Sequence, residues 1–286
     1  MRRLDGKVLL MTGAGGSIGS AAARRCAEQG ANLVLTDIRE DALEQSAHDA
    51  RAAGAEVLSL ISDTRSEEAC DDAVAQAVEK FGRIDMVWAN AGEAWVSESL
   101  EQDKDFWTRC LELELIGQWL PIRAALPTMV EQQSGSVLVS SSMTANTAYR
   151  HIAAYSAAKG GLQSLMKTLM VEFGDDNIRF NSLAIGSTEG RHIVASNAMR
   201  AGISFEEAER VVDLTKVTRD FIFPLGRMGT PDDIAPAVEF FASDDSAWVT
   251  GTTFFVDGGL TSAGMAGLHR FDANQWGTFK RTMLDD

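Results

Sequence analysis

Short apolar runs alternate with amphipathic stretches along most of the chain. The first run, "KVLLMT", ends in glycines and is followed by "SIGSAAARRCAEQG", whose spacing predicts a helix that stops at Gly30. A second helix, "EDALEQSAHDARAAG", ends at Gly54, and a third, "SEEACDDAVAQAVEKFG", has Ser66 as its N-cap and Gly82 as its stop. The other predicted strands are "ANLVLTD", "AEVLSLISD", "IDMVWANAG", "GSVLVSSS", "NIRFNSLAIG" and "TTFFVDGG".

Apolar strands separated by helices are typical of βαβ units, whose parallel sheet is covered on both faces. The pattern therefore predicts an α/β fold, with a doubly wound parallel sheet of about seven strands and helices on both faces. We expect one domain over residues 1–260, in which 187–223 falls outside the alternation. The tail at 261–286 carries an apolar stripe, Trp276, Phe279 and Met283. This stripe fits a helix that packs on its own subunit or one that reaches a neighbouring site.

Composition narrows the function. The chain has 286 residues, a net charge of −15 and a pI near 4.7. An acidic surface repels phosphate, which argues against nucleic acid and anionic membranes as partners. No apolar run approaches the roughly 18 residues of a membrane span. Cys26, Cys70 and Cys110 form no CxxC pair, so we expect no disulfide framework and no metal site. A reducing, cytoplasmic location fits these cysteines best.

The segment "TGAGGSIG", Thr12 to Gly19, follows the first strand and opens the first helix. Glycines there allow a tight turn and let the backbone approach a pyrophosphate at the helix N-terminus. Asp37 ends the second strand, where a carboxylate accepts ribose hydroxyls and repels a 2′-phosphate. We therefore predict NAD rather than NADP. Arg39 leaves NADP open, because an arginine nearby can accommodate the phosphate.

Four segments together, "TGAGGSIG", "ANAG", "GSVLVSSS" and "YSAAK", resemble the short-chain dehydrogenases/reductases. The resemblance runs from Leu4 to about Gly259 and implies a Rossmann-type sheet, a nicotinamide cofactor and a homotetramer or homodimer. Asp63 and Thr64 resemble the family's adenine-contacting pair. The resemblance and the glycine turn together predict these cofactor-binding residues: Gly13, Gly16, Ser17, Ile18, Gly19, Asp37, Ile38, Asp63, Thr64, Asn90, Ala91, Gly92, Tyr155, Lys159, Gly186 and Thr188.

Tyr155 lies four residues before Lys159, so the two side chains share a helix face. An ammonium near a phenol lowers the phenol's pKa from about 10, and we expect Tyr155 to act as general base or general acid. By resemblance, Lys159 also binds the nicotinamide ribose. The family's catalytic serine lies 13 residues before the tyrosine, at Ser142, where it would stabilise a developing alkoxide.

Glu114 stands where the family has an asparagine that helps to hold a water in a proton relay. A buried carboxylate is costly unless it is paired or protonated. Three hypotheses remain open. Glu114 serves the relay itself with a raised pKa, or it forms a salt bridge and the relay is rerouted, or activity is poor.

Other positions also depart from the family pattern, in the glycine motif and, after the sixth strand, around the nicotinamide pocket. Ser17 replaces the middle glycine of the first motif, and the family's Pro-Gly after the sixth strand is Ile185-Gly186. The usual threonine four residues later is Gly190. Thr188 lies where the family's backbone meets the carboxamide, and we expect its hydroxyl to add a contact.

The sequence has fewer features that indicate the substrate than features that indicate the cofactor. Residues 187–223 correspond to the family's variable lid, with "SFEEAERVVDL" as a helix that has a Ser204–Glu207 capping box. Phe205, Val211, Val212 and Leu214 give this helix an apolar face. The predicted substrate-lining residues are Ser142, Met143, Trp95 and Tyr149, which favour an uncharged, fairly apolar alcohol or ketone. For His151 and His192 we weigh a polar substrate contact and prefer a surface role.

We therefore predict an NAD-dependent enzyme that interconverts a secondary alcohol and a ketone, with Ser142, Tyr155, Lys159 and Glu114 at its catalytic centre. The alternatives are an NAD-binding sensor without turnover and an NADP-dependent biosynthetic ketoreductase. Subunit contacts would use the helices around Glu114 and Lys159. The apolar residues available for that face are Leu162, Leu165, Met166 and Leu169, although core packing explains them equally well.

Overall fold

A computed structural model of the chain describes residues 2–210 and 223–263. Seven parallel strands form one sheet in the order β3-β2-β1-β4-β5-β6-β7, with helices on both faces. The predicted fold class is confirmed. The strands are β1 Val8–Thr12, β2 Asn32–Asp37, β3 Val57–Ile61, β4 Met86–Ala89, β5 Gly135–Ser142, β6 Ile178–Ile185 and β7 Thr253–Val256.

Helices connect the strands in the predicted places. They are α1 Ser17–Glu28, α2 Glu40–Ala52, α3 Glu67–Phe81, α4 Lys104–Leu111, α5 Gly117–Gln132, α6 Ala153–Phe173, α7 Arg191–Ala201, α8 Pro231–Ala242 and the short α9 Leu260–Ala263. A π-helix, Glu112–Ile116, joins α4 to α5. The α3 helix begins as its sequence predicts, because the Ser66 hydroxyl accepts the Ala69 N–H, and it ends at Gly82 with φ 73°.

Two apolar layers enclose the sheet. On one face, alanines of α1 let that helix approach the strands closely, and α2 and α8 pack beside it. On the other face, α3, α5 and α6 cover the strands. Leu162, Met166 and Leu169 are buried in this second layer, and Leu165 packs against it. Core packing therefore explains Leu162, Met166 and Leu169, whose burial leaves them unavailable to a neighbouring subunit.

The segment after β6 carries helix α7 and a further helical stretch at 205–210. The Ser204–Glu207 capping box is present: the Ser204 N–H donates to Glu207 and the Glu207 N–H donates to the Ser204 hydroxyl. Phe205 packs on α7 as its predicted apolar role requires. Val211, Val212, Leu214 and the tail stripe at Trp276, Phe279 and Met283 lie outside the described residues. Within the described ranges, no helix is long and apolar enough to cross a membrane.

Candidate active site

The chain reverses its winding direction between β1 and β4, which are neighbours in the middle of the sheet. In doubly wound sheets, the crevice at this point, outside the carboxyl ends of the strands, is where ligands bind. Gly13 ends β1 there with φ 65°, and a Cβ atom at Gly13 would stand 2.8 Å from the Ala91 Cα atom. Only glycine fits such a backbone, since other residues rarely adopt this conformation.

Helix α1 begins in this crevice without a side-chain cap. Gly16 is its N-cap, and Ser17, Ile18 and Gly19 form the first turn, whose N–H groups have no carbonyl of the same helix to donate to. Such a turn suits a negatively charged group. The glycine turn and the uncapped helix together fit the pyrophosphate of a dinucleotide.

Asp37, at the end of β2, is held beside the glycine turn. Its Oδ2 accepts the Gly15 N–H at 2.9 Å, and its Oδ1 accepts the Arg39 N–H at 2.9 Å. The Arg39 guanidinium lies 3.3 Å from Oδ1, and its side chain is 45% exposed, whereas that of Asp37 is 5% exposed. Both groups that bear on the choice between NAD and NADP therefore stand together, with Ile38 exposed between them.

The "ANAG" motif ties three strands together. The Asn90 amide donates to the Thr12 carbonyl at 3.1 Å and accepts the Ser140 hydroxyl at 2.9 Å. The Thr12 hydroxyl accepts the N–H groups of Asn90 and Ala91. These bonds place Asn90, Ala91 and Gly92 along the wall of the crevice.

Asp63 and Thr64 follow β3, farther along the same edge of the sheet. Asp63 pairs with Arg65, which lowers the pKa of its carboxyl, and Thr64 is buried. Their backbone lies at the rim predicted for the adenine. The adenine contact itself stays a prediction.

Three consecutive serines end β5, and each has a different partner. The Ser140 hydroxyl accepts the Trp88 indole N–H, and its carbonyl accepts the Lys159 ammonium at 2.8 Å. The Ser141 hydroxyl donates to the Lys159 carbonyl and thereby fastens α6 to the strand. Ser142 faces the crevice, and its hydroxyl shares hydrogen bonds with Thr144 and Tyr155.

Tyr155, Lys159 and Ser142 therefore come together as predicted. The Lys159 ammonium lies 5.5 Å from the centre of the Tyr155 ring. The expected effect on the phenol is wrong, however. Burial raises the pKa of Tyr155 above its usual value, and the negative charge of Glu114 raises it further, while the hydrogen bond from Ser142 opposes both.

Burial is the larger cause of this difference, and Glu114 adds to it. Its carboxylate is fully buried and lies 2.8 Å from the Lys159 ammonium, at ion-pair distance but outside the geometry of a directed hydrogen bond. The other carboxylate oxygen accepts the Glu93 N–H at 2.7 Å and the Trp95 indole N–H at 3.1 Å. Of the three hypotheses for Glu114, the geometry favours the salt bridge.

Two departures from the family pattern turn out to be neighbours. Gly190, with φ 144°, lies so close to Ser17 that a Cβ atom there would stand 2.3 Å from the Ser17 hydroxyl oxygen. The serine thus occupies space that a larger residue at position 190 would need. The Thr188 hydroxyl, in contrast, donates to the Gly186 carbonyl and is buried, so the expected side-chain contact with the carboxamide is not supported.

The candidate substrate residues have different surroundings. Met143 is buried directly after Ser142, and Trp95 packs edge-on against Phe106 with its ring centre 5.4 Å away. Tyr149 is 38% exposed and lines a surface cleft together with Arg150 and His151. His151 faces Glu98 at 3.6 Å, which agrees with the preferred surface role.

Sequence reasoning missed four residues of the site: Ser140, Gln118, Cys110 and Glu93. Gln118 is fully buried and donates weakly to the Ser140 and Ala91 carbonyls. Burial and the nearby Glu114 raise the pKa of Cys110 to about 12. Ser140 carried a usable signal, since a polar side chain in a fully buried strand needs a partner. Among the described residues, no cluster of His, Cys, Asp or Glu could hold a metal ion.

Comparison with known proteins bears on this arrangement. The chain matches the family model described as "Enoyl-(Acyl carrier protein) reductase" over residues 13–261. L-rhamnose 1-dehydrogenase (NAD(P)(+)) of Sphingomonas sp. (strain SKA58) is 31% identical, over 91% of this chain and 98% of that protein. Cyclohexanol dehydrogenase of Acinetobacter sp. (strain SE19) is 30% identical, over 91% and 97% respectively.

Among solved structures, NAD⁺-bound xylitol dehydrogenase superposes with a TM-score of 0.82 at 29% identity, covering 90% of this chain and all of that one. The matched region contains the glycine turn, the three serines and the Tyr155–Lys159 pair. The chain therefore belongs to the short-chain dehydrogenase/reductase family of oxidoreductases.

Proposed function

We propose that this protein is an NAD-dependent oxidoreductase that interconverts a secondary alcohol and a ketone. The observation that carries the proposal is the grouping of Ser142, Tyr155 and Lys159 beside the crevice between β1 and β4. When bound, the nicotinamide would accept or supply the hydride. The protein binds and orients the cofactor and the substrate, and it moves one proton.

Each residue of this group has a distinct role. The Tyr155 hydroxyl gives a proton to the ketone oxygen, or takes one from the alcohol. The Ser142 hydroxyl donates a hydrogen bond to the same oxygen and stabilises negative charge as it develops. An ammonium has three N–H groups, and those of Lys159 face the Ser140 carbonyl, Glu114 and the crevice, where a ribose hydroxyl would accept. Glu114 completes the centre as the counterion of Lys159.

NAD is the proposed cofactor because Asp37 ends β2 with its carboxylate beside the glycine turn. The other predicted cofactor residues follow the crevice from α1, through Asn90, Ala91 and Gly92, to Gly186 and the backbone at Thr188. NADP remains a second candidate on one observation: the partly exposed Arg39 guanidinium, which now pairs with Asp37, could turn toward a 2′-phosphate.

An uncharged, fairly apolar alcohol or ketone is the proposed substrate class. Met143 directly follows Ser142, Trp95 lies beside Glu114, Tyr149 is partly exposed, and one relative is a cyclohexanol dehydrogenase. Relatives named for L-rhamnose and xylitol make polyols the class to test beside it.

We also propose a cytoplasmic homotetramer or homodimer. Phe254 and Phe255 on the edge strand β7 offer apolar surface for it, and sedimentation equilibrium would measure the mass.

A sensor that binds NAD without turnover is the alternative from another class. The observation that favours it is the Glu114 carboxylate, which opposes the Lys159 charge beside the tyrosine. Tight NADH binding without oxidation of any alcohol would support the sensor.

The deciding experiment mixes the protein and NAD with a panel of secondary alcohols at alkaline pH and follows NADH fluorescence. The panel contains cyclic and aryl alcohols, polyols and hydroxy acids. The Tyr155→Phe variant should lose about 10²- to 10⁴-fold in kcat, because it keeps the ring and removes the acid/base. A rate that survives in Tyr155→Phe would contradict the catalytic assignment. A parallel titration with NADP would identify the preferred cofactor.

A further inference from the structure

Glu114 is turned into the protein by the π-helix that carries it. The wider π-turn between α4 and α5 points the Glu114 carboxylate inward, where it is buried. Glu112, two residues earlier on the same segment, is exposed. Single π-turns inside α-helices occur frequently at functional sites. The segment therefore offers two glutamates of opposite environment, which can be compared directly.

Every contact of the Glu114 carboxylate is with a donor. Lys159 approaches one oxygen at 2.8 Å, and the Glu93 N–H and the Trp95 indole N–H approach the other. This is the arrangement expected of an anion, since a protonated carboxyl would meet at least one acceptor. The Lys159 side chain is 4% exposed and that of Glu114 is 1% exposed, so solvent screens their attraction weakly.

The Glu114 carboxylate opposes the electrostatic help that Lys159 would give to Tyr155. The titratable or polar groups that act on the phenol are Ser142 at the end of β5, Lys159 on its own helix, Glu114 on the π-helix and Cys110 on α4. With the lysine charge compensated, burial and Glu114 raise the pKa of Tyr155. Glu93 faces Glu114 from the loop after β4, and its own carboxyl pKa is raised by burial and by Glu114.

We propose that Glu114 is a positioning residue that neutralises Lys159 and keeps the Tyr155 phenol protonated through neutral pH. The site would then reduce ketones near neutral pH and oxidise alcohols only in alkaline solution. This inference rests on the proposed function, and it adds the preferred direction of the reaction and the residue that determines it.

The reduction balances with the phenol as proton source. The carbonyl carbon receives a hydride from the reduced nicotinamide, and the oxygen receives the Tyr155 proton. The C=O π bond and the phenol O–H bond break while a C–H and an O–H bond form on the substrate; the bound cofactor would supply the hydride from its own C–H bond and would be oxidised as the ketone is reduced. Solvent then returns one proton to the tyrosinate. Oxidation is the reverse and needs the tyrosinate first, so its rate follows the ionised fraction of Tyr155.

The experiment observes Tyr155 directly, without substrate. The chain has only two tyrosines, Tyr149 and Tyr155, so protein labelled with [ζ-¹³C]tyrosine gives two NMR signals. The signal that is absent in Tyr155→Phe belongs to Tyr155. In the wild type we expect it to keep its protonated shift from about pH 7 to about pH 10, the usual pKa of a phenol. In Glu114→Gln we expect its titration midpoint to move down by at least about one pH unit, because the lysine charge is no longer opposed.

Glu112→Gln is the matched control, since it removes the same charge from the exposed position of the same segment. It should leave the Tyr155 midpoint unchanged within the error of the titration. An equal midpoint in Glu114→Gln and the wild type would overturn the proposal, and so would a wild-type midpoint below about pH 9, which would mean that Lys159 dominates.

Removal of Glu114 leaves Lys159 buried without its counterion, which is strongly destabilising in other proteins. Circular dichroism therefore checks the fold of Glu114→Gln, and Glu114→Asn, the residue found in the family pattern, serves as the second variant. If neither variant folds, a wild-type titration of Tyr155 below about pH 9 still overturns the proposal, because it would mean that Lys159 dominates.

Kinetics separates this inference from the proposed function. If the panel yields an alcohol, its oxidation by Glu114→Gln at about pH 7 should be about tenfold faster than in the wild type, in line with a one-unit shift. The pH profile should move with the NMR midpoint, which a merely structural role would not require. If no alcohol or ketone reacts, the proposed function fails, while the NMR titration still reports whether Glu114 controls Tyr155.

Discussion

The two ends of the crevice are built differently. At the end proposed for the adenine and pyrophosphate, the fit depends on backbone: the turn at Gly13, the uncapped first turn of α1 and the strand ends at Thr12 and Asn90. At the end proposed for the nicotinamide, it depends on residues that depart from the family pattern, namely Glu114 and Gly190, the second of which lies against Ser17 of the glycine turn. Backbone geometry follows from the fold, whereas buried side-chain contacts are particular to this chain. The first end therefore indicates the cofactor class, and the second determines how the site performs.

Asp37 is the main side chain at the adenine end, and its removal should have the largest effect. In Asp37→Asn the KM for NAD should rise about 10- to 100-fold, because charge-assisted hydrogen bonds contribute about 1.5–3 kcal/mol. The KM for NADP should fall, since Arg39 loses its carboxylate partner. Steady-state kinetics with both cofactors measures the change.

The control for this variant is Asp41→Asn, which removes an exposed carboxylate from the first turn of α2. It should leave both KM values unchanged. Equal effects of the two substitutions on KM would mean that Asp37 acts through net charge. The proposed difference between the two ends of the crevice would then not be supported.

Substitutions at Ser17 and Gly190 test whether these two departures from the family pattern compensate for each other. In Gly190→Ala the new methyl group meets the Ser17 hydroxyl, so NADH binding should weaken about tenfold. Adding Ser17→Gly should recover part of this loss, because neighbouring substitutions are not additive. Fluorescence titrations of the two single variants and the double variant provide the cycle.

Gly202→Ala separates packing from backbone strain. Gly202 also has a positive φ, 64°, but a Cβ atom added there would have no other atom within 4 Å. Its substitution should cost stability without changing NADH affinity. Additive effects of Gly190→Ala and Ser17→Gly would show that the two positions are independent.

Trp95 connects the substrate wall to Glu114 and should have a smaller effect. Trp95→Phe keeps an aromatic ring beside Phe106 but removes the indole donor to the carboxylate. The free energy of unfolding should fall by about 1–2 kcal/mol, because Glu114 keeps its other two donors. Urea unfolding measures it, with the fully exposed Trp248 changed to Phe as the control. A similar loss of unfolding free energy in both variants would mean that the indole hydrogen bond does not contribute to stability.

The smallest effect concerns the segment that leads from the lid into α8. Arg227 and the Thr230 cap hold Asp233, and the guanidinium lowers the pKa of its carboxyl. A lowered pKa means that this stabilisation is present above the unfolded value, near about pH 4, and is lost as the pH falls below it. Asp233→Asn should therefore be less stable than the wild type at about pH 7, and the difference should shrink steadily as the pH falls toward about 2. Thermal melts across this range test it, with the more exposed Asp232→Asn as control; a difference that does not change with pH would contradict it.

The two apolar layers around the sheet and the glycine-rich end of the crevice could be predicted from the amino-acid sequence alone. Apolar strands spaced by capped helices allow one parallel sheet, and "TGAGGSIG" and Asp37 follow strands whose carboxyl ends meet at one edge. Tyr155 and Lys159 were recognisable because helical spacing is a local property. All of these features depend on contacts between residues close together in the chain or on the period of the pattern.

The state of the catalytic centre, in contrast, is set by tertiary contacts. The sequence showed an ammonium one turn from a phenol and predicted a lowered pKa for Tyr155. It could not show that Tyr155 is buried, or that Glu114, which is distant from Lys159 in the chain, lies 2.8 Å from that ammonium; burial and Glu114 together reverse the prediction. Nor could it show that Gly190 lies against Ser17. Electrostatic and packing energies depend on distance and burial in space, and residues far apart in sequence acquire both only when the chain has folded.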